Sequence, residues 1–135
     1  MTAFVDASAL IAIVAQEPDA LSLADRLARE ARRLCSAVSV WEAVAGLCRT
    51  YRFSVASAQE RVRLFITELE LEFVVLGERE FQIATDAYAQ FGKGRHPAAL
   101  NMGDCFAYAC ARANGAGLLF KGDDLNRTDI EVAGI

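Results

Sequence analysis

Residues 3–15 read Ala3-Phe4-Val5-Asp6-Ala7-Ser8-Ala9-Leu10-Ile11-Ala12-Ile13-Val14-Ala15, and this stretch decides how the rest of the chain is read. Three apolar residues run into Asp6-Ala7-Ser8, whose short polar side chains can cap an apolar helix over 9–15. A strand therefore feeds a helix, and the order returns further on. Leu34-Cys35-Ser36 reads as a buried strand, after which Ser39 caps a helix to about Arg52 with Trp41, Val44, Ala45 and Cys48 along one face. Phe73-Val74-Val75-Leu76 is a third strand, followed by a helix from Glu78 to Phe91. The turn formers Gly92-Lys93-Gly94-Arg95-His96-Pro97 lead to Asn101, which caps a helix from Met102 to about Ala113. Leu118-Leu119-Phe120 is the last strand. Two amphipathic helices, from Pro18-Asp19 to about Glu30 and from Val55 to Leu69, complete the pattern. Strands alternating with helices predict an α/β protein, a three-layer α/β/α sandwich on a central, mainly parallel sheet.

A chain of 135 residues fits one domain, spanning 1–135. Its hydrophobic residues (54%), charged residues (24%) and only 2 Pro argue against long disordered stretches. The opening residues lack a basic leader and are broken by Asp6, and no apolar run approaches the ~20 residues that cross a bilayer. A soluble, cytoplasmic protein is expected. Cys35, Cys48, Cys105 and Cys110 form no CxxC pair and read as small core residues in a reducing compartment, not as zinc ligands.

Three carboxylates stand out by their isolation. Asp6 is the only charge between Met1 and Gln16, at a strand end where open parallel sheets place their ligand sites. Glu42 is the only charge between Ser36 and Cys48, and Asp104 the only one between Pro97 and Ala111. A carboxylate in apolar surroundings costs several kcal/mol unless it is neutralised, paired or bound to metal. Asp123-Asp124 follow the last strand and supply a fourth acidic position. Three of the four positions have a plainer explanation: Asp6 as a helix cap, Asp104 as a first-turn acid favoured by the helix dipole, Asp123-Asp124 as a solvated turn. Glu42 has none, because a mid-helix carboxylate among apolar neighbours caps nothing. Oxygen ligands without His or Cys select a hard divalent cation, Mg2+ or Mn2+.

A net charge of -4 sits awkwardly with nucleic-acid binding, so the distribution of cations matters more than their sum. Arg26, Arg29, Arg32 and Arg33 lie close together, as do Arg49 and Arg52, and Lys93, Arg95 and His96 form a short basic loop. Solvated helix faces account for many of these.

At this point the chain resembles the PIN-domain ribonucleases, specifically the VapC-type toxins of type II toxin-antitoxin systems. The resemblance spans nearly the whole chain. It is carried by Phe4-Val5-Asp6-Ala7-Ser8-Ala9-Leu10, Ser39-Val40-Trp41-Glu42-Ala43, the tract from Tyr88 to His96, Leu100-Asn101-Met102-Gly103-Asp104-Cys105-Phe106-Ala107-Tyr108-Ala109, and Leu118-Leu119-Phe120-Lys121-Gly122-Asp123-Asp124. It implies a PIN-like sandwich in which Asp6 and Asp104 are the principal metal ligands and Glu42 and Asp124 complete a catalytic acidic quartet. Asp123 could substitute for, or share with, Asp124. Ser8 and Asn101 are supporting residues, Ser8 giving a hydrogen bond and not a nucleophile. Lys93, Arg95, His96 and Lys121 are candidates for holding RNA. One departure is Leu125, where similar toxins more often carry Phe.

The resemblance further implies Mg2+-dependent (or Mn2+-dependent) hydrolysis of RNA by in-line attack of water, leaving a 5′-phosphate and a 3′-hydroxyl. It implies a homodimer, inhibited by a VapB-like antitoxin, that arrests translation or growth when released. Apolar faces on the helices at 19–30 and 55–69 are candidate partner surfaces, though core packing explains them equally well. Two competing readings are a non-catalytic PIN-fold module that binds RNA or protein, and a phosphoacceptor receiver domain. The first would lack one of the acids. The second wants paired acids early, where Asp6 stands alone.

Overall fold

The structure is a computed structural model that describes residues 1–122 and 125–133. Strand β1 (Thr2–Val5) leads into α1 (Ala7–Val14) and α2 (Ala20–Ala28), then β2 (Arg32–Cys35) into α3 (Ala37–Tyr51) and α4 (Val55–Glu68). The short β3 (Glu72–Phe73) precedes α5 (Glu78–Phe91) and α6 (Met102–Ala113), and β4 (Gly117–Leu119) is followed by a 3-10 turn, Leu125–Arg127. The four strands form one sheet in the order β3-β2-β1-β4, and every pairing is parallel.

Register explains the layers. Phe4 pairs with Leu34 on one side and Leu118 on the other, so these three side chains share a face of the sheet. They are fully buried in a core with Ala84, Ala87, Leu100 and Cys110 from the α5–α6 side. The alternate residues Ala3, Val5, Cys35 and Leu119 point the other way, into a second core with Leu10, Leu23, Leu27, Leu47 and Val62 of α1 to α4. A strand buried on both faces is apolar throughout, which is why β1 and β4 show no alternation in sequence. The expected three-layer α/β/α sandwich is therefore the observed fold, with a fully parallel sheet.

Local structure corrects three expectations. The helix after β2 is capped by Ser36, not Ser39: Ser39 N–H donates to Ser36 Oγ at 3.1 Å and Ser36 N–H to Ser39 Oγ at 3.0 Å, so the two serines close a capping box. The third strand is Glu72–Phe73 and does not run to Leu76. Its partner β2 ends at Cys35, and after the bond from Val74 N–H to the Cys35 carbonyl at 2.9 Å the ladder has no further rung. The last strand begins at Gly117, one residue early, and the chain returns beside it in an isolated parallel bridge from Leu118 to Val132. Among the described residues no helix is long and apolar enough to cross a membrane.

Candidate functional site

Asp6 stands where β1 ends and α1 begins. Its backbone N–H donates to the Leu119 carbonyl at 2.9 Å, which ties the end of β1 to the end of its edge neighbour β4. Its side chain is buried at 5% exposure and caps α1, Oδ2 accepting the Ser8 N–H at 3.1 Å and the Ser8 hydroxyl at 2.6 Å. Helix cap and candidate ligand are thus one residue, since a carboxylate has lone pairs beyond those its cap uses. Burial pushes the Asp6 carboxyl above its ordinary range, against the opposing pull of the Ser8 bonds.

Glu42 reaches the same place from the middle of α3. Its carboxyl is pushed up to about 7, first by loss of water and then by repulsion from Asp6 and Asp104, with Arg49 pulling the other way. Both Asp6 and Asp104 act on Glu42 although 98 residues separate the first from the last. The carboxylate of Glu42 lies directly over Gly103: a Cβ built on that glycine would stand 2.0 and 2.2 Å from its two oxygens. A side chain there would displace the Glu42 carboxylate. The glycine is the opening through which Glu42 meets α6 at the turn that carries Asp104.

Asp104 occupies the first turn of α6, with Asn101 as cap. Asp104 N–H donates to Asn101 Oδ1 at 2.9 Å, and Asn101 N–H donates back to Asp104 Oδ2 at 3.2 Å. Asn101 therefore fixes the carboxylate as well as starting the helix. Ser8 joins the two strand ends: while donating to Asp6, its oxygen accepts Lys121 N–H at 2.9 Å. Asp123 and Asp124 lie outside the described residues.

The donor set fits a hard divalent cation. Asp6, Glu42 and Asp104 offer carboxylate oxygen; burial raises Asp6, and burial with repulsion from Asp6 and Asp104 raises Glu42, which a bound cation would relieve. Among the described residues no three His, Cys, Asp or Glu side chains stand close enough together to hold a metal ion by themselves.

The candidate RNA-holding cations are placed less uniformly. Lys93 and Arg95 are exposed, and the Arg95 guanidinium lies over the Tyr88 ring at 5.2 Å. His96 Nδ1 accepts the Ala98 N–H at 3.0 Å, and the ring packs edge-on to Phe91. Lys121 is engaged elsewhere: its ammonium bonds Glu17 and, at 3.2 Å, Asp19. Two site features escaped the sequence reading. Arg49 shares the field of Glu42, and Gly103 seats it. The signal for Gly103 was a glycine inside a helix, which costs about 1 kcal/mol relative to alanine and asks for a packing reason.

With this geometry in view, comparison with known proteins is direct. The PIN domain family model matches residues 3–131. A VapC ribonuclease of Rhizobium meliloti (strain 1021) is 39% identical, across 94% of this chain and 98% of its own length. Ribonuclease VapC30 of Mycobacterium tuberculosis is 36% identical, across 97% and 98%. In solved structures, the fold is shared with VapBC2 of Rickettsia felis bound to a DNA fragment from their promoter, at TM-score 0.75, 14% identity and coverage of 98% and 96%. It is also shared with VapC20 of Mycobacterium tuberculosis, a sarcin-ricin loop cleaving toxin, at TM-score 0.72, 17% identity and 95% of each chain. Matched along nearly its whole length by relatives of one kind, and carrying isolated acids at the end of β1, in the middle of α3 and in the first turn of α6, the chain belongs to the VapC ribonucleases of the PIN-domain family.

Proposed function

We propose that this chain is the toxin of a type II toxin-antitoxin module, a metal-dependent endoribonuclease built as a single PIN domain. It hydrolyses RNA phosphodiester bonds and inhibits translation or growth when its antitoxin is absent. The observation that carries the reading is Glu42 seated on Gly103, beside Asp104, with its carboxyl raised to about 7 by burial and then by the charges of Asp6 and Asp104. Such a cluster is unfavourable for stability and is explained by a cation it was built to hold.

Asp6 and Asp104 are the principal ligands, with Glu42 and Asp124 or Asp123 completing the set. Mg2+ or Mn2+ bound there supplies Lewis acidity toward a phosphate oxygen and acidifies water near neutral pH. The protein's part is orientation. Ser8 and Asn101 each spend a hydrogen bond on one carboxylate, which leaves the remaining oxygens aimed and costs no rearrangement during reaction. Glu42, pushed to about 7, is the acid whose protonation is most easily changed by what binds beside it. Lys93, Arg95 and His96 hold the RNA backbone beside the acids.

A VapB-like antitoxin and a second copy of the chain are the protein partners proposed, acting in the cytoplasm. The VapBC2 structure supports an antitoxin partner. Apolar side chains left exposed at Leu21 on α2 and at Val55 and Leu64 on α4 give such partners surface to cover.

Purified protein incubated with end-labelled total RNA tests the function. Cutting with Mg2+, none with chelator, and none by Asp6→Ala or Asp104→Ala establishes it. Equal cutting by wild type and both variants points to a contaminant, and no cutting under any condition leaves a binding module as the better reading.

A further inference from the structure

Lys121 is gripped at both ends. Its main-chain N–H donates to Ser8 Oγ at 2.9 Å, and the same Ser8 oxygen donates to Asp6 at 2.6 Å. Its ammonium extends away to the loop between α1 and α2, where it bonds Glu17 and, at 3.2 Å, Asp19. Tyr51, the last residue of α3, donates its hydroxyl to the other oxygen of Glu17. Asp19 stands at the N-cap position of α2 yet makes no capping bond with its side chain, which goes to Lys121 instead. Glu17 is the hub, 19% exposed, and its carboxyl is held below its ordinary range first by Lys121 and then by Tyr51.

An isolated ion pair on a surface contributes little. This one differs in what it fastens. Gly122, at φ +105°, turns the chain immediately after Lys121, and Asp123-Asp124 follow. Lys121 is thus fixed by Ser8 on its main chain and by Glu17 on its side chain, and the Ser8 hydroxyl that its N–H bonds is the donor to Asp6. A lysine reserved for RNA would not have its charge matched by two carboxylates of the same protein.

We propose that Glu17, assisted by Asp19 and Tyr51, is a positioning residue for the acidic site: it holds Lys121 as a strut whose main-chain N–H orients the Ser8 hydroxyl that donates to Asp6. Lys121 acts inside the protein and does not contact RNA. The inference rests on the nuclease reading above.

The test compares Glu17→Ala, Lys121→Met, the double variant, Lys121→Arg and Tyr51→Phe with wild type. Mn2+ binding is measured by calorimetry without RNA, and kcat and KM on a quenched fluorescent RNA that wild type cuts. Each of Glu17→Ala and Lys121→Met is expected to lose about tenfold in kcat and in Mn2+ affinity with KM little changed. The double variant is no worse than either, and Lys121→Arg recovers most of the loss. Tyr51→Phe, which keeps the ring and removes only the hydroxyl, loses less but in the same two quantities, so the test stands even if a harsher variant unfolds.

If Lys121 touched RNA, Lys121→Met would raise KM alone, and Glu17→Ala would lower KM by removing a competing negative charge. That pattern overturns the proposal, as do variants that keep wild-type kcat and Mn2+ affinity. Wild type that neither binds Mn2+ nor cuts RNA instead overturns the nuclease reading, a result distinct from both.

Discussion

The carboxylate of Glu42 occupies the space where Gly103 would carry a side chain, with its oxygens 2.0 and 2.2 Å from the position a Cβ would take. A residue on α3 is thereby seated on the first turn of α6, one position before Asp104. Gly103→Ala separates the site from the fold. The methyl displaces the far end of a flexible side chain, and alanine is the better helix former by about 1 kcal/mol. Thermal unfolding of the metal-free variant should match or exceed wild type, while RNA cleavage falls about a hundredfold. Cleavage at the wild-type rate would show that the seat is dispensable.

Asp6→Asn tests whether the buried acid is costly to the fold and useful to the cation. Asparagine caps a helix as well as aspartate does, so α1 keeps its start. With a buried carboxyl removed from beside Glu42, the metal-free variant should be at least as stable as wild type. Wild type should gain about 2.7 kcal/mol at a cation concentration a hundredfold above Kd, and Asp6→Asn should gain almost none. Differential scanning fluorimetry with and without Mn2+ reads both. A variant stabilised by Mn2+ as much as wild type would remove Asp6 from the ligand set.

Ser8→Ala removes a donor to Asp6 and the acceptor for Lys121 N–H together. Stability should fall by about 1–2 kcal/mol, because the Lys121 amide loses its partner. Activity should fall by about tenfold. A loss of several thousandfold would instead argue for a nucleophilic serine.

The basic loop makes its own prediction through salt. Replacing Lys93 or Arg95 with alanine should raise KM, leave kcat near wild type and reduce the slope of log affinity against log salt by about one for each phosphate contact removed. Fluorescence anisotropy of a labelled RNA with the Asp104→Ala variant, which should not cut, measures that slope. Slopes equal to the parent would reassign the loop to solubility.

Acid should weaken the fastening of the chain after the last strand. The Tyr108 hydroxyl and Arg112 hold the Asp129 carboxyl below its ordinary range, the tyrosine bond being the larger cause. A lowered folded pKa stabilises above the unfolded value of 3.8 and is lost as pH falls through the folded one. Tyr108→Phe should therefore be less stable than wild type at pH 7, by about 1 kcal/mol or less because Asp129 is largely exposed. The difference should narrow toward pH 3. Urea unfolding at the two pH values checks it, and a gap that widens in acid would contradict the sign.

What the sequence made legible was periodic or local. The helix over Glu78–Phe91 and the start of the one at Val55 are set by spacing and by Ser54, and Asn101 could be recognised as a cap from its place before Met102. Lone acids in apolar runs were visible because charge among apolar residues needs a reason. Features fixed by tertiary contact were not. Strand β3 is short because β2 ends at Cys35, a limit imposed by a partner and absent from the run Phe73-Val74-Val75-Leu76 itself. Ser36 and Ser39 are both good caps, and only the turn of the chain out of the sheet chooses between them. The seat on Gly103 and the grip on Lys121 join residues 61 and 104 positions apart, where no pattern in the sequence connects them.

The parallel order β3-β2-β1-β4 also governs timing. Strand β1 lies inside the sheet, and its neighbour on one side, β4, is made long after it. Asp6 donates its backbone N–H to the Leu119 carbonyl, 113 residues further along the chain. During synthesis Asp6 therefore cannot take its place in the sheet until β4 has emerged, so the first acid is seated late although it is made early.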